Sequence, residues 1–223
     1  MYLHRIHLNP RCKEVRRDLA DYYQLHSTLC RAFSDTDTKC PPGKFLWRHE
    51  PELDSNGLPQ VLIQSGSTPD WSRIVIADWL HAIDPAVDLK SRLNLVELSS
   101  GQRFRFRLRA NPSVTRQGKR FGLLQTPNQE AWLARKGVQH GFALQELASF
   151  SLNDLDVPRL DVRISQDQML RCKQHAGNRI HVFSVLFDGV LTVTEPDIFV
   201  QSIENGIGHA KALGLGLLSV APV

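Results

Sequence analysis

Gly206-Ile-Gly-His-Ala-Lys-Ala-Leu-Gly-Leu-Gly-Leu-Leu-Ser-Val-Ala-Pro-Val223 sets four glycines (Gly206, Gly208, Gly214, Gly216) and Lys211 ahead of an apolar strand. Glycine has no Cβ, so its backbone takes positive φ and can approach a bulky polyanion closely. A lysine beside exposed backbone N–H groups adds the charge that an anion requires. Two nucleotide-binding patterns do not fit. A Walker A loop places Lys-Ser/Thr after its last glycine, whereas here the lysine precedes Gly214 and no hydroxyl residue follows it. A dinucleotide fingerprint opens a βαβ unit, and only one strand follows these glycines. The segment reads as a glycine-rich loop beside a strand, suited to a phosphodiester backbone, with a plain glycine turn and edge strand as the alternative.

Working outward, Glu195-Pro196 predicts the start of a helix through Phe199 and Ile203, closed by Asn205-Gly206. Before it, Val182–Phe187 and Val190–Thr194 flank Asp188-Gly189, a strong short-hairpin signal. In Arg103–Arg109, arginine alternates with Phe104, Phe106 and Leu108, predicting a strand with one basic and one apolar face. A short helix is expected over Gln129–Val138, around Ala131, Trp132 and Leu133. In the first half a strand over Tyr2–Leu8 precedes a single helix from Glu14 to Phe33, whose apolar positions include Val15, Leu19, Leu29 and Phe33. Cys40-Pro-Pro-Gly43 reads as a turn. Two strands, Lys44–Glu50 and Gln60–Ser65, follow around the Asp54–Gly57 turn. A helical or irregular stretch is centred on Trp71–Trp79. The β-α-β-β order is that of a ferredoxin-like half.

Composition bounds the function. The 223 residues suffice for one large domain or two small ones, and 42% hydrophobic with 22% charged content describes an ordinary globular protein. Net charge is +4 with a pI near 9.0, and its distribution says more than its total. Between Gly101 and Arg120 lie seven basic residues and no acid, a single-sign cluster that attracts polyanions. The N-terminus has no apolar core of a signal peptide and no stretch approaches the ~18 apolar residues of a membrane span, so a cytoplasmic protein without membrane contact is expected. Cys12, Cys30, Cys40 and Cys172 form no C-x-x-C pair, which points to reduced thiols. Cys172 and His175 make half a metal site without a second half. His4 and His7 fall on opposite faces of a strand. No metal and no cofactor is expected.

Two clusters carry possible chemistry. Tyr23 and His26, three apart on the first helix, share a face; that pairing is a catalytic candidate or simply core. Tyr22 points about a quarter-turn away and reads as packing. Arg31 and Ser34 follow, candidates to stabilise a charged transition state and to bond a phosphate, or else a solvated helix face and a helix C-cap. The second cluster is electrostatic. Arg105, Arg107 and Arg109 with Lys119 and Arg120 form a candidate phosphate platform, because like charges at i, i+2 repel unless a counter-charge arrives. Leu170–Arg179, with Arg171, Lys173 and Arg179, reads as a basic loop or hairpin. Gly206, Gly208 and Lys211 of the glycine loop complete the candidate nucleic-acid contacts. No segment matches the aromatic K/R-G-F/Y-G/A-F pattern of an RRM, so base stacking on a sheet is not expected.

The ending G-I-G-x-A-K-A-L-G-L-G-L-L-S-V-A-P, with Tyr22-Tyr-Gln-Leu-His26, Arg105-Phe-Arg-Leu-Arg-Ala-Asn-Pro112 and Leu186-Phe-Asp-Gly-Val-Leu-Thr192, resembles the CRISPR repeat-processing endoribonucleases of the CasE subfamily of type I-E Cascade. The motifs run in order over nearly the whole chain. The resemblance implies an α+β fold of two tandem ferredoxin-like (RRM-like) domains, here 1–90 with the catalytic helix and 101–223 with the basic strand and glycine loop. It implies metal-independent cleavage of precursor RNA within a repeat stem-loop, by attack of a ribose 2′-OH on the adjacent phosphorus, leaving a 2′,3′-cyclic phosphate and a 5′-OH. Tyr23 and His26 match the catalytic position. Histidine near its ordinary pKa of ~6.5 serves as acid or base near neutrality, so His26 is assigned general acid, base being the alternative, and Tyr23 orients the 2′-OH or the phosphate. The implied partners are the CRISPR repeat RNA stem-loop and other Cascade subunits. A non-catalytic module that binds an RNA hairpin is the alternative.

Overall fold

The computed structural model describes residues 1–34, 40, 43–147, 159–173 and 177–223. Pro41 and Pro42 of the expected turn, and His175 of the Cys172/His175 pair, lie outside the described residues.

In the first half, β1 (Tyr2–Leu8) is followed by α1 (Lys13–Ala20), α2 (Tyr22–Arg31), β2 (Phe45–His49), β3 (Gln60–Ser65), β4 (Leu80–Ile83) and β5 (Val87–Asp88). The sheet is antiparallel in the order β2-β3-β1-β4, with β5 paired to the start of β1. This is the ferredoxin-like order, with the second helix reduced to a 3-10 turn at Trp71–Arg73. Ile6, Leu8, Phe45, Trp47, Val61 and Ile63 face Val15, Leu25 and Leu29 of the helices, as strand alternation and helical spacing require.

The single helix expected from Glu14 to Phe33 is broken at Asp21, whose φ of −137° and ψ of 100° are extended. Its carboxylate accepts the Tyr23 backbone N–H at 3.0 Å. This local bond starts a new helix in place of the old one. The angle between α1 and α2 is held by a second carboxylate. Asp18 is fully buried and accepts from Thr28 Oγ1 at 2.8 Å and Trp79 Nε1 at 2.9 Å, while Arg17 pairs with it at 2.6 Å.

In the second half, α3 (Leu89–Arg92) precedes β6 (Arg103–Ala110), β7 (Ser113–Arg116), β8 (Lys119–Gly122), α4 (Thr126–Gln139), β9 (Phe142–Leu144), β10 (Glu146–Leu147), β11 (Arg159–Leu160), β12 (Val162–Lys173), β13 (Arg179–Val193), α5 (Pro196–Asn205) and β14 (Leu218–Pro222). Sheet order is β12-β13-β6-β14, the same ferredoxin-like arrangement, with β9 added against β13. Phe104, Phe106 and Leu108 pack with Trp132, Leu133, Phe187, Phe199 and Ile203 to form its core, which Leu89, Leu93 and Leu95 of the connecting stretch join.

Asp188-Gly189 is not a turn: β13 runs straight through it. A Cβ at Gly189 would stand 2.2 Å from the Asp161 carbonyl oxygen, and the Val190 N–H donates to that oxygen at 3.2 Å. The glycine therefore marks a close backbone approach inside a strand. A two-residue hairpin turn is found at Gln117-Gly118, both at positive φ (49° and 73°), joining β7 to β8. No helix among the described residues is long and apolar enough to cross a membrane.

The two sheets meet on Arg48 of β2, which is 1% exposed. Its guanidinium pairs with Glu50 at 2.7 Å and donates to the Arg107 and Leu217 carbonyls at 3.1 and 3.2 Å and to Ser219 Oγ at 2.9 Å. An arginine fork satisfied at this many points fixes relative position as well as charge.

Candidate functional site

Tyr23 and His26 lie on α2 where the two halves converge. The His26 ring packs against Phe45 (centroids 5.3 Å apart) and lies nearly parallel to Trp47, at 6.5 Å and 13°. Its Nε2 is 3.6 Å from Cys30 Sγ, and its Nδ1 is buried with no hydrogen-bond partner among the described residues. Burial disfavours the imidazolium and lowers the His26 pKa. The imidazole is thus held in an aromatic niche that disfavours its charged form. Tyr22, one turn before His26 on the same face, packs on the same Trp47 ring at 5.6 Å and does more than pack: its hydroxyl bonds His49 Nδ1 at 2.9 Å. Burial pushes the Tyr22 pKa up and holds His49 down to about 4.

Around Tyr23 the glycine-rich loop and the β12–β13 hairpin come together. Leu213 and Leu215 pack on Leu170 and Cys172, with Tyr22, Tyr23, Val182 and Ala210 against them, and the 3-10 turn Lys211–Leu213 packs on α2. Lys211 Nζ donates to the Asn205 carbonyl at 2.6 Å. On the hairpin, exposed Arg171, Lys173 and Arg179 line a cavity of 640 Å³ with Ala20, Asp21 and Met169. The Lys173 backbone N–H donates to Asp21 Oδ2 at 3.1 Å. The basic hairpin is therefore tied to the residue that caps the helix carrying Tyr23 and His26. Arg31 is exposed at the end of that helix. Ser34 Oγ donates to the Cys30 carbonyl at 2.7 Å, so its hydroxyl serves the helix end.

The arginine ladder differs from its expectation. Arg105 is exposed, but Arg107 meets Glu50 and Glu52, each at 2.9 Å, and Asp188 at 2.7 Å. Arg109 is 3% exposed and donates to Gln166 Oε1 at 2.6 Å. The counter-charge for Arg107 comes from the loop after β2 and from β13, so that arginine ties the seam between the sheets. Arg109 is bonded within its own sheet, to Gln166 of β12, and its Nε and Nη1 are buried without a partner among the described residues. Lys119 and Arg120 are exposed on β8, off the ladder. The glycine loop is corrected likewise. A Cβ at Gly206 would stand 2.9 Å from the Leu46 side chain, and one at Gly214 would stand 2.8 Å from the Trp47 ring. These glycines make room for β2 of the same chain. A Cβ at Gly208 would meet the Trp132 ring only at ordinary contact distance.

Sequence reasoning missed Asp21, Arg48, Glu50 and Asp188 as builders of the site. Arg48 and Glu50 left a signal, a charged pair two apart at the end of the strand expected over Lys44–Glu50. Asp21 left none beyond the capping tendency of any aspartate.

Residues 1–222 match the model of a family described as CRISPR associated protein. The chain is 38% identical to the CRISPR-associated endoribonuclease Cse3 of Thermus thermophilus over 227 residues, covering 100% of both. It is 27% identical to the CRISPR system Cascade subunit CasE of Escherichia coli, covering 91% of this chain and 93% of that one. A solved structure of Thermus thermophilus Cse3 bound to an RNA representing a pre-cleavage complex superposes with a TM-score of 0.81 at 35% identity, over 99% of this chain and 98% of that one.

Proposed function

Because the chain belongs to the CRISPR associated protein family, among the endoribonucleases related to Cse3, we propose that it cuts CRISPR precursor RNA within each repeat stem-loop, without a metal ion, in the cytoplasm. The observation that carries this reading is the juxtaposition at Asp21. One carboxylate joins the helix bearing Tyr23 and His26 to the hairpin bearing Arg171, Lys173 and Arg179. Cations that grip a phosphate backbone are thereby held in register with the general acid His26 and the orienting Tyr23.

The chemistry needs few parts. The ribose 2′-OH attacks phosphorus and gives its proton to solvent, the P–O5′ bond breaks, and the leaving oxygen takes a proton from the protonated His26 ring. The products are a 2′,3′-cyclic phosphate and a 5′-OH. His26 is the general acid at the leaving oxygen. Burial disfavours its charged form, and an incoming phosphodiester anion offsets that cost, so that the imidazolium carries the proton it gives. Tyr23 orients the 2′-OH or the phosphate, and Arg31 and Lys211 supply positive charge for the crowded phosphorus. Lys119, Arg120 and Arg105 extend the contacts along the RNA. As a relative of the Cascade subunit CasE, the protein works within an assembly of that kind and stays there on the stem-loop of its product.

The test is cleavage of a CRISPR repeat hairpin in excess EDTA, with the new ends analysed chemically. Cutting that persists, with a cyclic phosphate on one fragment and a 5′-OH on the other, supports the mechanism. Activity lost in EDTA and restored by Mg²⁺, with the hairpin still folded, overturns it. Tight binding without cutting under any condition makes the protein a hairpin-binding module.

A further inference from the structure

A second cavity, of 470 Å³, adjoins the basic one, sharing Met169 and His181 with it. Its floor is apolar and open to solvent: Phe121 on β8 is 50% exposed, Leu124 68% and Met169 48%. Side chains of this size are normally buried, and grouped exposure marks a binding surface. Arg120 stands on its rim beside His209, whose pKa is lowered first by burial and then by the charges of Arg120, Lys136 and Lys211. Arg120 forms no ion pair among the described residues. The far wall, Val182 and Ala210, belongs to the same packed cluster as Tyr23. The β7–β8 hairpin is seated firmly enough to present Phe121, since Gly122 lies so close to Phe183 that a Cβ would come within 3.0 Å of it.

An apolar shelf beneath uncompensated positive charge, beside the candidate catalytic helix, matches one ligand chemistry: a nucleotide whose base is out of the helix. A base inside a stem keeps both faces stacked and its edge paired, so the base that enters a cavity beside an aromatic ring is an unpaired one. The volume is within the range of small-ligand sites. We infer that this cavity takes one unpaired ribonucleotide flanking the scissile position, its base on Phe121 and Met169 and its phosphate between Arg120 and His209. The inference rests on the proposed function and adds to it a pocket that selects RNA in which that nucleotide is free to leave the stem. Stacking here occurs on a hairpin appended to the sheet, and not on the sheet face of an RRM.

The probe is a CRISPR repeat hairpin with single-stranded flanks, made uncleavable by a 2′-deoxy sugar at the scissile position and carrying 2-aminopurine at each flanking or stem-base position in turn. Wild-type protein should quench the fluorescence at one position. Phe121→Ala should abolish that quench and weaken binding roughly 5- to 150-fold, the effect of losing one stacked base, while Phe121→Tyr restores both. Phe121→Ala that leaves the quench unchanged, with the RNA bound and the unmodified hairpin cut, overturns the pocket and leaves the proposed function standing. Wild-type protein that fails to bind the hairpin overturns both. Circular dichroism of Phe121→Ala, a change at an exposed position, verifies that its fold is kept.

Discussion

Asp21 and Lys173 are joined by a hydrogen bond of 3.1 Å from the Lys173 backbone N–H to Asp21 Oδ2, while Asp21 Oδ1 accepts the Tyr23 N–H at 3.0 Å. One side chain thus both starts the helix of the candidate pair Tyr23 and His26 and anchors the basic hairpin. Asp21→Ala should cost about 1 kcal/mol of stability, the usual loss of an N-cap, and should also slow cleavage by freeing the hairpin. Asp21→Asn keeps a capping oxygen and should recover most of the stability in urea unfolding. An unfolding midpoint for Asp21→Ala equal to that of the wild type would show that the bond does neither.

The two sets of arginines should separate by salt. Replacing Arg171 and Arg179 together should flatten the dependence of log K on log salt by about 0.7–0.9 for each phosphate that is no longer neutralised. Arg107→Ala should instead lower stability, because it strips Glu50, Glu52 and Asp188 of a shared partner, and should leave the slope unchanged. An unchanged slope in the well-folded double variant would remove the hairpin from the RNA path.

Acid should loosen the seam between the sheets through His49. Burial holds its folded pKa down to about 4, below the ~6.5 of an exposed histidine. Between those values the unfolded chain takes up a proton that the folded chain refuses. Stability from this group is therefore whole above about pH 6.5 and falls as the pH drops toward 4, by up to about 3 kcal/mol. Urea unfolding at stepped pH should show this decline, and His49→Gln should make it shallower. A wild-type profile flat from pH 7 to 4 would contradict the assignment.

Two glycines with the same φ of +73° should respond differently to substitution. Gly118→Ala meets nothing within 4 Å, whereas Gly214→Ala drives its Cβ into the Trp47 ring. The first should lose only the ~1 kcal/mol of left-handed backbone strain. The second should lose that and a packing clash, and should slow cleavage because Lys211–Leu213 packs on α2. Equal losses in urea unfolding would show that β2 yields freely.

What the sequence made legible was local. The alternation in Arg103–Arg109, the cap at Asn205-Gly206 and the helical spacing around Tyr23 and His26 each depend on neighbours along the chain. The misreadings came from partners far away in it. Asp188-Gly189 reads as a turn until Asp161 is brought against it, and Arg107 reads as bare charge until Glu50 and Glu52 arrive from another sheet. The glycine loop reads as an anion cradle, but Gly206 and Gly214 yield to Leu46 and Trp47, a packing arrangement that no local pattern encodes.

The most direct test of the central claim is the single-turnover cleavage rate of His26→Ala on a CRISPR repeat hairpin in EDTA, with RNA affinity measured alongside. The expected result is a rate lower by about 10²–10⁴-fold, the usual contribution of a general acid or base, at nearly unchanged affinity, since the ring adds little to binding beside so many cations. A wild-type rate in a variant that binds normally would contradict the claim and move the active site away from α2.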